Sequence, residues 1–513
     1  MRPLLAVLAL LASLLGVVPA SASPVERAGQ DGAGQDGAGQ HGAVDARATG
    51  SRATAHGRWL VDPRGRALVL HGLNMVYKLA PYAPDQVGFG RDDARFLARQ
   101  GFTTVRLGLI WAAVEPQPGV YDDAYLRRIE RTTRILAKQG IWVLLDFHQD
   151  LYHERFQGEG APTWAVQDDG LPAEPQLGFP ANYFVMPGLN RAFDNFWANS
   201  PGPGGVGLQD RYAAAWAHVA AYFARTPKVL GLDLLNEPWP GTGWQACANP
   251  VGCPEFDGRL QAFSQRVIGA IRAVDSRTTV FYEPNVIFNN GAQTSVRPAG
   301  GNLAFSFHDY CLTAEASAEG GLDEVCGTFD DLVWSNTAAH VRATGHPPLM
   351  TEYGATTDVP TITGMVDRAA RARTGWQYWA YCGCSDPTTT GPGAEQALVH
   401  DPAQAPRGAN VDQAKLRALV VPHPLAVSGT PLRYRFDRAA GRFTARWSVR
   451  RADHGGSFGP GARTTLSVPR LVFPDGYVVQ VVGGRVVSKP GARVLVVAQR
   501  AGADRVRVVV RPR

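Results

Sequence analysis

Eight short apolar runs recur along the middle of the chain, and most are separated by stretches of amphipathic helical character. The runs are rich in β-branched and aromatic residues and almost continuously apolar, which is typical of parallel strands buried on both faces. They span residues 68–75, 103–111, 141–150, 229–239, 278–285, 303–311, 349–355 and 375–383. Eight strands interleaved with helices over residues 56–421 predict an α/β fold, a (β/α)8 TIM barrel with long loops.

The alternative for this pattern is a doubly wound open sheet. Such a sheet commonly carries a glycine-rich phosphate-binding turn after its first strand. No turn of this kind follows residues 68–75. We therefore favour the closed barrel.

The pattern changes after residue 422. From there to residue 513, apolar and polar residues alternate with period two between Gly, Asp and Pro turns, which predicts a C-terminal antiparallel β-sandwich. Residues 431–513 carry 17 Lys/Arg against 4 Asp/Glu, a net charge of +13 within a whole-chain charge of +6, so the rest carries −7. A basic module beside an acidic barrel could make peripheral contact with a membrane surface. Arginines that point outward for solubility are the simpler interpretation, and we favour it.

The N-terminus indicates the compartment. Arg2, an apolar run from Leu4 to Val18 and the small residues Ala20-Ser21-Ala22 predict a signal peptide over residues 1–22 and a secreted, extracellular protein. An uncleaved membrane anchor is the alternative, but the run is short for a bilayer span. Residues 23–55 repeat GQDGA and are predicted to be a disordered linker.

Six cysteines in a secreted chain can form disulfides. Cys247 and Cys253 flank one loop and Cys311 and Cys326 flank another, so both pairs could be local bridges. Cys382 and Cys384 are too close to pair easily, and their state stays open. No cysteine lies in a zinc-type spacing, and we predict no metal.

Polar and aromatic residues lie at or near the ends of most of the predicted strands. In a TIM barrel, the carboxyl ends of the strands carry the active site. Arg106 belongs to the second strand, Asp146, His148 and Asp150 to the third, Asn236 and Glu237 to the fourth, His308 and Tyr310 to the sixth, Glu352 to the seventh and Trp379 to the eighth. This placement is hard to explain by packing alone.

Two of these residues, Glu237 and Glu352, are carboxylic acids. Retaining glycosidases need a nucleophile and an acid/base whose carboxyl groups lie about 5–5.5 Å apart. The acid needs a raised pKa, and an arginine such as Arg106 would keep the nucleophile ionised. Asn236 could hold a sugar 2-hydroxyl group. Glu283 is a third carboxylate at a strand end, and we interpret it as a supporting group.

Several motifs then reveal a family. HGLNMVYKLAPY, VLLDFHQDLYHERFQGEGAP, LDLLNEPWPG, FHDYC and TEYGA resemble those of clan A retaining glycosidases of glycoside hydrolase family 5, and within it endoglycoceramidases. The resemblance runs from about residue 66 to 390. The inserts 161–207 and 241–254 match no motif, so the reaction type is better defined than the substrate.

The resemblance implies roles for individual residues. Glu237 matches the acid/base, Glu352 the nucleophile and Asn236 the residue that holds the 2-hydroxyl group. Arg106 and His148 match supports around the nucleophile, and His308 and Tyr310 match a pair beside it. Trp379 matches a platform under the sugar at the cleavage point. Lys78, Asp146 and Asp150 match polar groups that bind that sugar. His148 and Tyr310 are also expected to contact the substrate. No cofactor is implied.

We therefore expect a secreted, monomeric retaining β-glycosidase that cleaves the bond between an oligosaccharide and ceramide. Its partner would be a glycolipid or another β-glycoside, and no motif indicates nucleic acid. One alternative is a β-glucanase or another β-glycosidase: an apolar groove on the leaving-group side favours lipid, whereas a line of exposed aromatic and polar groups favours a polysaccharide. A second alternative is an inactive carbohydrate- or membrane-binding barrel, which the presence of both Glu237 and Glu352 disfavours.

Overall fold

A computed structural model describes residues 52–310, 323–389 and 396–513. The predicted signal peptide, nearly all of the predicted linker and Cys311 lie outside these residues. The strands, numbered along the chain, are β1 Thr54–His56, β2 Trp59–Val61, β3 Ala67–Leu68, β4 His71–Met75, β5 Thr104–Leu109, β6 Trp142–Phe147, β7 Val229–Asp233, β8 Thr279–Tyr282, β9 Leu303–Asp309, β10 Pro348–Tyr353, β11 Gly375–Tyr378, β12 His423–Val427, β13 Thr430–Asp437, β14 Arg442–Ser448, β15 Arg463–Ser467, β16 Tyr477–Val482, β17 Gly484–Val486, β18 Val494–Gln499 and β19 Arg505–Pro512.

The α-helices of the described residues lie mainly between the barrel strands. They are α1 Arg91–Gln100, α2 Trp111–Val114, α3 Asp123–Lys138, α4 Ala181–Val185, α5 Pro187–Trp197, α6 Leu208–Phe223, α7 Trp244–Cys247, α8 Pro254–Val274, α9 Asp323–Thr344, α10 Val359–Ala372 and α11 Gln413–Leu419. Local sequence sets several of their ends. Asp122 caps α3 by accepting hydrogen bonds from the N–H groups of Ala124 and Tyr125, and Gly101 ends α1 at a φ of 95°. Among the described residues, no helix has both the length and the apolar character needed to cross a bilayer.

Strands β4 to β11 close into a parallel barrel, with β11 pairing with β4. The TIM barrel prediction is confirmed, and each strand lies within or almost within one of the predicted runs. Strand β6, for example, is buried at every residue, which explains the nearly continuous apolar run. The loops that follow the strands gather at one end of the barrel.

The C-terminal region forms two antiparallel sheets, as predicted. One has the order β1-β2-β3-β12-β15-β18-β17, and the other has the order β13-β14-β19-β16. Residues 54–68 thus pair with the C-terminal domain, although the sequence assigned them to the linker and the barrel. Their strands contain two or three residues each, too few to show a period.

The seven-stranded sheet packs on the barrel with one face and on the four-stranded sheet with the other, and β13 of the four-stranded sheet also contacts α10 of the barrel. On one side, Leu60 and Leu68 share an apolar cluster with Trp142 at the amino end of β6. On its other side, Trp59 and Val61 belong to the core that the two sheets share. The sandwich therefore covers the amino end of the barrel, and the carboxyl end stays open.

Within the described residues, two disulfides lie in the loops at the carboxyl end. Cys247 and Cys253 are bonded, as the sequence suggested. Cys382 and Cys384, whose state the sequence left open, are also bonded. Their Cα atoms lie 5.2 Å apart, which is within the range that a disulfide spans.

Candidate active site

Arg106 lies at the centre of a buried polar network inside the barrel. Its side chain has no exposed surface, and its guanidinium group contacts carboxylates from four other strands or strand ends. It donates to Asp233 and Asp146 at 2.9 Å, to Glu283 at 2.9 Å and to Oε1 of Glu352. Burial alone would lower the pKa of Arg106, but these carboxylates hold it well above its usual value. Arg106 is therefore a fixed cation behind the cleft.

Glu237 follows β7 and faces the cleft. Its φ of 44° is unusual for a residue with a side chain, and strain of this kind is common at functional sites. Oε1 of Glu237 accepts a hydrogen bond from Nδ2 of Asn289 at 2.7 Å and lies 2.8 Å from Nδ1 of His308. Oε2 of Glu283 accepts the backbone N–H of Glu237 at 2.9 Å. Burial raises the pKa of Glu237, and Glu352 adds to this effect, although His308 opposes it.

Glu352 lies in β10, across the barrel from Glu237. Its Oε1 accepts from Arg106, and its Oε2 accepts from the hydroxyl group of Tyr310 at 2.9 Å. Both oxygens thus accept hydrogen bonds from the protein, which suits an anionic carboxylate. Burial raises the pKa of Tyr310 well above its usual value, and the charge of Glu352 adds to this, so the phenol keeps its proton.

The two carboxyl groups lie close together. One oxygen of Glu237 and one oxygen of Glu352 lie within 4.8 Å of each other. This distance is near the separation of about 5–5.5 Å in retaining glycosidases and well below the 6.5–9.5 Å that inverting enzymes need for a water molecule. The arrangement can therefore support attack by one carboxylate and proton donation by the other.

The amide of Asn236 lies next to this pair. Its Oδ1 accepts from Arg106 at 3.0 Å, and its Nδ2 donates to the backbone carbonyl of Gln149 at 3.0 Å. Asn236 also lines the cleft. Its orientation is thus set by partners behind it, which holds the amide where a sugar hydroxyl group could meet it.

Lys78 lines the same cleft as Glu237 and Glu352 and is surrounded by polar partners. Its Nζ donates to Asp150 at 2.6 Å and to Thr388 at 2.7 Å, and it lies 3.2 Å from Asp386. The carboxylates outweigh the burial that would lower the pKa of Lys78, and its pKa is raised. The pKa of Asp150 is lowered to about 2, since Lys78 and His148 outweigh the effect of its own burial.

Trp379 also lines the cleft, and the buried His148 packs against it. Nδ1 of His148 lies 2.8 Å from Oδ2 of Asp146, and its ring stacks on Trp379 with 5.3 Å between centroids. Asp146 outweighs the effect of burial and raises the pKa of His148 to about 10. Trp379 donates from Nε1 to Gln396 at 3.0 Å, which fixes the indole beside Lys78. All eleven residues singled out from the sequence thus lie in one connected site.

The sequence reasoning missed several members of this site. Glu159 is the clearest, because it is buried, neither carboxyl oxygen has a hydrogen-bond partner among the described residues, and its Oε1 lies 4.0 Å from Nζ of Lys78. Burial raises its pKa well above the usual value. Glu159 pairs with Asp150 through two backbone hydrogen bonds, and a Cβ atom on Gly158 would lie 1.9 Å from the carbonyl oxygen of Asp150. A charged residue between two glycines, at 158–160, is the one signal that could have found it. The other missed residues include Asp233 at the end of β7, and Asn289, Asp386, Thr388 and Gln396, which follow strands without forming a motif.

Two trios of the described residues could offer atoms to a metal: His148, Asp150 and Glu159, and Glu237, His308 and Glu352. A cationic side chain is already present at each trio. Lys78 contacts the first, and His308, whose pKa is raised well above its usual value, belongs to the second. These cations balance the charge that a metal would balance, so the residues fit a metal-free site better.

The cleft has an empty volume of about 1100 Å³, which includes open solvent, and two chemically different ends. Lys78, Asp150, Thr388 and Gln396 line one end, with Trp379 beside them. The other end is mainly apolar and is formed by Phe179, Pro180, Phe184, Trp239, Val286 and Ile287. Glu237 and Glu352 line the same cleft.

A TIM barrel whose carboxyl end holds two close, differently supported carboxyl groups beside polar groups and a tryptophan has the architecture of a glycoside hydrolase. Comparison with known families agrees. The family model "Cellulase (glycosyl hydrolase family 5)" matches residues 61–385, and "Glycoside hydrolase family 5 C-terminal domain" matches residues 422–510. The chain belongs to glycoside hydrolase family 5.

Individual relatives cover most of the chain. The endoglycoceramidase I of Rhodococcus hoagii is 36% identical over 88% of this chain and 87% of its own. The crystallised endoglycoceramidase II of a Rhodococcus species, in a complex with ganglioside GM3, is 30% identical with a TM-score of 0.72, over 89% of this chain and 99% of that chain. The same enzyme as a lactosyl-enzyme intermediate has 31% identity and a TM-score of 0.71, with the same coverage.

Proposed function

We propose that this hydrolase is a secreted retaining β-glycosidase that cleaves the bond between the glycan and the ceramide of glycosphingolipids. Glu352 attacks the anomeric carbon of the sugar next to the lipid and forms a glycosyl-enzyme, while Glu237 protonates the departing ceramide oxygen. Glu237 then takes a proton from water, which attacks the same carbon and releases the glycan. Because its pKa is raised, Glu237 can hold the proton that it donates in the first step.

The apolar wall beside Glu237 carries this proposal. Val286 and Ile287 line the cleft and belong to the same short turn as Asn289, which donates to Glu237. Trp239 lies two residues after Glu237 and packs edge-on against Phe184. The leaving group therefore departs past apolar side chains, which suits a lipid better than a second sugar.

The polar end supports a sugar on the other side of the bond. Asp150 and Thr388 line this end, and Lys78 donates to both. These charged and hydroxyl groups can exchange hydrogen bonds with sugar hydroxyls, and Trp379 offers an aromatic face. The names of the relatives agree, since they include endoglycoceramidases and a complex with a ganglioside.

Product analysis tests the proposal. The protein is incubated with lactosylceramide and with ganglioside GM3, and the products are identified by mass spectrometry. We expect intact lactose or the GM3 glycan together with free ceramide. Stepwise loss of terminal monosaccharides, or turnover of a soluble β-glucan without turnover of the glycolipids, would overturn it.

Secretion and a monomeric state belong to the same proposal. The apolar segment near the N-terminus supports export with cleavage after Ala22. The mature protein in the culture medium should begin at Ser23 and sediment as one chain. Retention of the first 22 residues on a cell-bound protein would contradict secretion.

A further inference from the structure

Asn289 lies in the short turn that follows β8, and its side chain binds the carboxyl group of Glu237. The turn spans Val286–Asn290 and begins after Asn285, whose Oδ1 accepts the backbone N–H of Ile287 at 3.1 Å. Nδ2 of Asn289 donates to Oε1 of Glu237 at 2.7 Å. Asn289 is 6% exposed and lines the cleft, so this hydrogen bond is largely shielded from bulk water.

The turn that carries Asn289 is held from two sides. The backbone N–H of Val286 donates to the carbonyl oxygen of Pro238 at 3.1 Å, which ties the turn to the residue after Glu237. Nδ2 of Asn336 on α9 donates to the carbonyl oxygen of Gly291 at 2.8 Å. The amide of Asn289 is therefore presented to Glu237 by a supported piece of backbone.

The backbone of Glu237 is also fixed. Its N–H donates to Oε2 of Glu283 at 2.9 Å, and its carbonyl oxygen accepts from Nε2 of Gln149 at 3.1 Å. Within the described residues, the hydrogen bonds of the Glu237 carboxyl group come from Asn289 and His308, and both reach Oε1. Oε2 has no hydrogen-bond partner in the same part of the chain.

Two donors on one oxygen decide which oxygen of Glu237 carries the proton of the acid form. The pKa of His308 is held well above its usual value, so the ring is protonated and donates from Nδ1. An oxygen that accepts from both His308 and Asn289 has its acceptor sites in use, and a proton there would meet two N–H groups. The other oxygen, Oε2, is free to hold it.

We propose that Asn289 is a positioning residue for the acid/base: together with His308 it holds Oε1 of Glu237, so that Oε2 carries the proton to the departing oxygen. This inference rests on the role of Glu237 in the proposed function. As the bond between the anomeric carbon and the departing oxygen breaks, that oxygen takes the proton from Oε2, and Glu352 forms the new bond to the carbon. In the second step, Oε2 takes a proton from the attacking water.

Two aryl β-lactosides with different leaving groups test the proposal, because kcat/KM reports formation of the glycosyl-enzyme alone. N289A removes the donor to Oε1. For phenyl β-lactoside, whose leaving group needs a proton, kcat/KM should fall about tenfold. For dinitrophenyl β-lactoside, whose leaving group needs none, it should stay within about twofold. A purely structural role would lower both values together.

The pH profile of kcat/KM for phenyl β-lactoside gives a second readout. A hydrogen bond to a carboxylate lowers the pKa of the acid, so its loss in N289A should raise the pKa of Glu237 and move the alkaline limb of the profile to higher pH. N289D keeps the shape of the side chain in case N289A does not fold, and its added carboxyl group should move the limb in the same direction. The substitutions leave in place the other titratable groups that interact with Glu237, which are His308, Tyr310, Glu352, Glu283, Asp150 and Tyr183.

N336A is the matched control, because Asn336 supports the same turn but donates to Gly291 and Ala292 rather than to Glu237. Any loss in this variant should be equal for the two lactosides and should leave the alkaline limb unchanged. E237Q is the reference for loss of the acid itself. It should show the same difference between the two lactosides as N289A, but a larger one.

Failure of this inference and failure of the proposed function give different results. A difference between the lactosides in E237Q, with neither a difference nor a pH shift in N289A and N289D, would overturn the role of Asn289 and leave Glu237 as the acid. No difference in E237Q would remove Glu237 as the acid, and the inference with it. A difference in N336A as large as that in N289A would show that the turn, and not the amide of Asn289, positions Glu237.

Discussion

Nδ1 of His308 lies 2.8 Å from Oε1 of Glu237 and 3.6 Å from Oε2 of Glu352. Burial would lower the pKa of His308, but Glu352, Glu283 and the bond to Glu237 hold it well above the ordinary value. One cationic ring therefore stands between the two carboxyl groups. It reduces their mutual repulsion at a separation where two bare carboxylates would not both ionise easily.

The first prediction separates the roles of the two glutamates. With a dinitrophenyl β-lactoside, whose leaving group needs no proton, E237Q should still form the glycosyl-enzyme but hydrolyse it slowly. We expect a burst of dinitrophenolate followed by turnover about 10²–10⁴ times slower than in the wild type. E352Q should show neither burst nor turnover. A burst in E352Q, with none in E237Q, would show that Glu237 is the nucleophile and Glu352 the acid/base.

The second prediction concerns the pKa of Glu237. The charge of Glu352 helps to raise this pKa, so E352Q should lower it. The measurement is a carbon-13 NMR titration of the side-chain carboxyl groups, with Glu237 assigned by its loss in E237Q. An unchanged or higher titration midpoint in E352Q would show that the two groups do not interact as the geometry requires.

The third prediction concerns the apolar wall. I287S places a hydroxyl group where a lipid chain would pack, so kcat/KM for lactosylceramide should fall about tenfold. A soluble aryl β-lactoside has no lipid chain, and its kcat/KM should stay within about twofold. V120S, at an exposed valine outside the cleft, is the control for a general loss of stability. Equal losses on both substrates would argue against a lipid at this wall.

The fourth prediction concerns Glu159 and Lys78. Burial raises the pKa of Glu159 and so favours its neutral form, and we expect E159Q to leave both stability and activity near wild type at pH 7. K78M leaves Asp150 and Asp386 without their ammonium partner and should cost about 3–5 kcal/mol. Urea unfolding of both variants measures this difference. A large loss in E159Q would show that Glu159 is ionised.

The fifth prediction concerns two stacked histidines between barrel and sandwich. The rings of His71 in β4 and His423 in β12 lie 3.7 Å apart, and burial lowers the pKa of His423 to about 4 and that of His71 well below 6.5. Above pH 6.5 both rings are neutral, folded or unfolded, and stability is complete. As pH falls towards 4, only the unfolded chain gains these protons, so His423 alone should cost about 3 kcal/mol.

H423F should flatten this dependence, which urea unfolding between pH 7 and 4 measures. H400Q, at an exposed histidine, should keep the full slope. If H423F loses stability with falling pH as steeply as the wild type, the stacked pair is not the acid-sensitive element.

Much of the fold could be predicted from local sequence, because strands that are buried on both faces appear in the sequence as apolar runs. The apolar run at 141–150 predicted β6, and the alternation in RVRVVVRP predicted β19. The short strands β1 to β3 could not be predicted in this way, since two or three residues show no period and only β3 pairs with a strand from the other end of the chain, β12. The bond between Cys382 and Cys384 likewise left no pattern in the sequence, because their spacing alone does not say whether the backbone brings the two sulfur atoms together.

Some residues of the site could also be predicted from the sequence, and others could not. Residues at strand ends could be singled out because barrel topology places every carboxyl end on one face. Glu159 and Asn289 could not, since their contacts to Lys78 and Glu237 depend on how long loops fold back over the barrel.

By itself, the amino-acid sequence determined the barrel, the sandwich and the face on which polar residues collect, because burial periodicity and parallel topology act over short stretches of chain. Only the tertiary structure decided that Arg106 joins four carboxylates and that the cleft has an apolar end beside Glu237. The charge state and the reactivity of the site residues depend on distances between residues far apart in the chain, and only the packing of the folded chain fixes those distances.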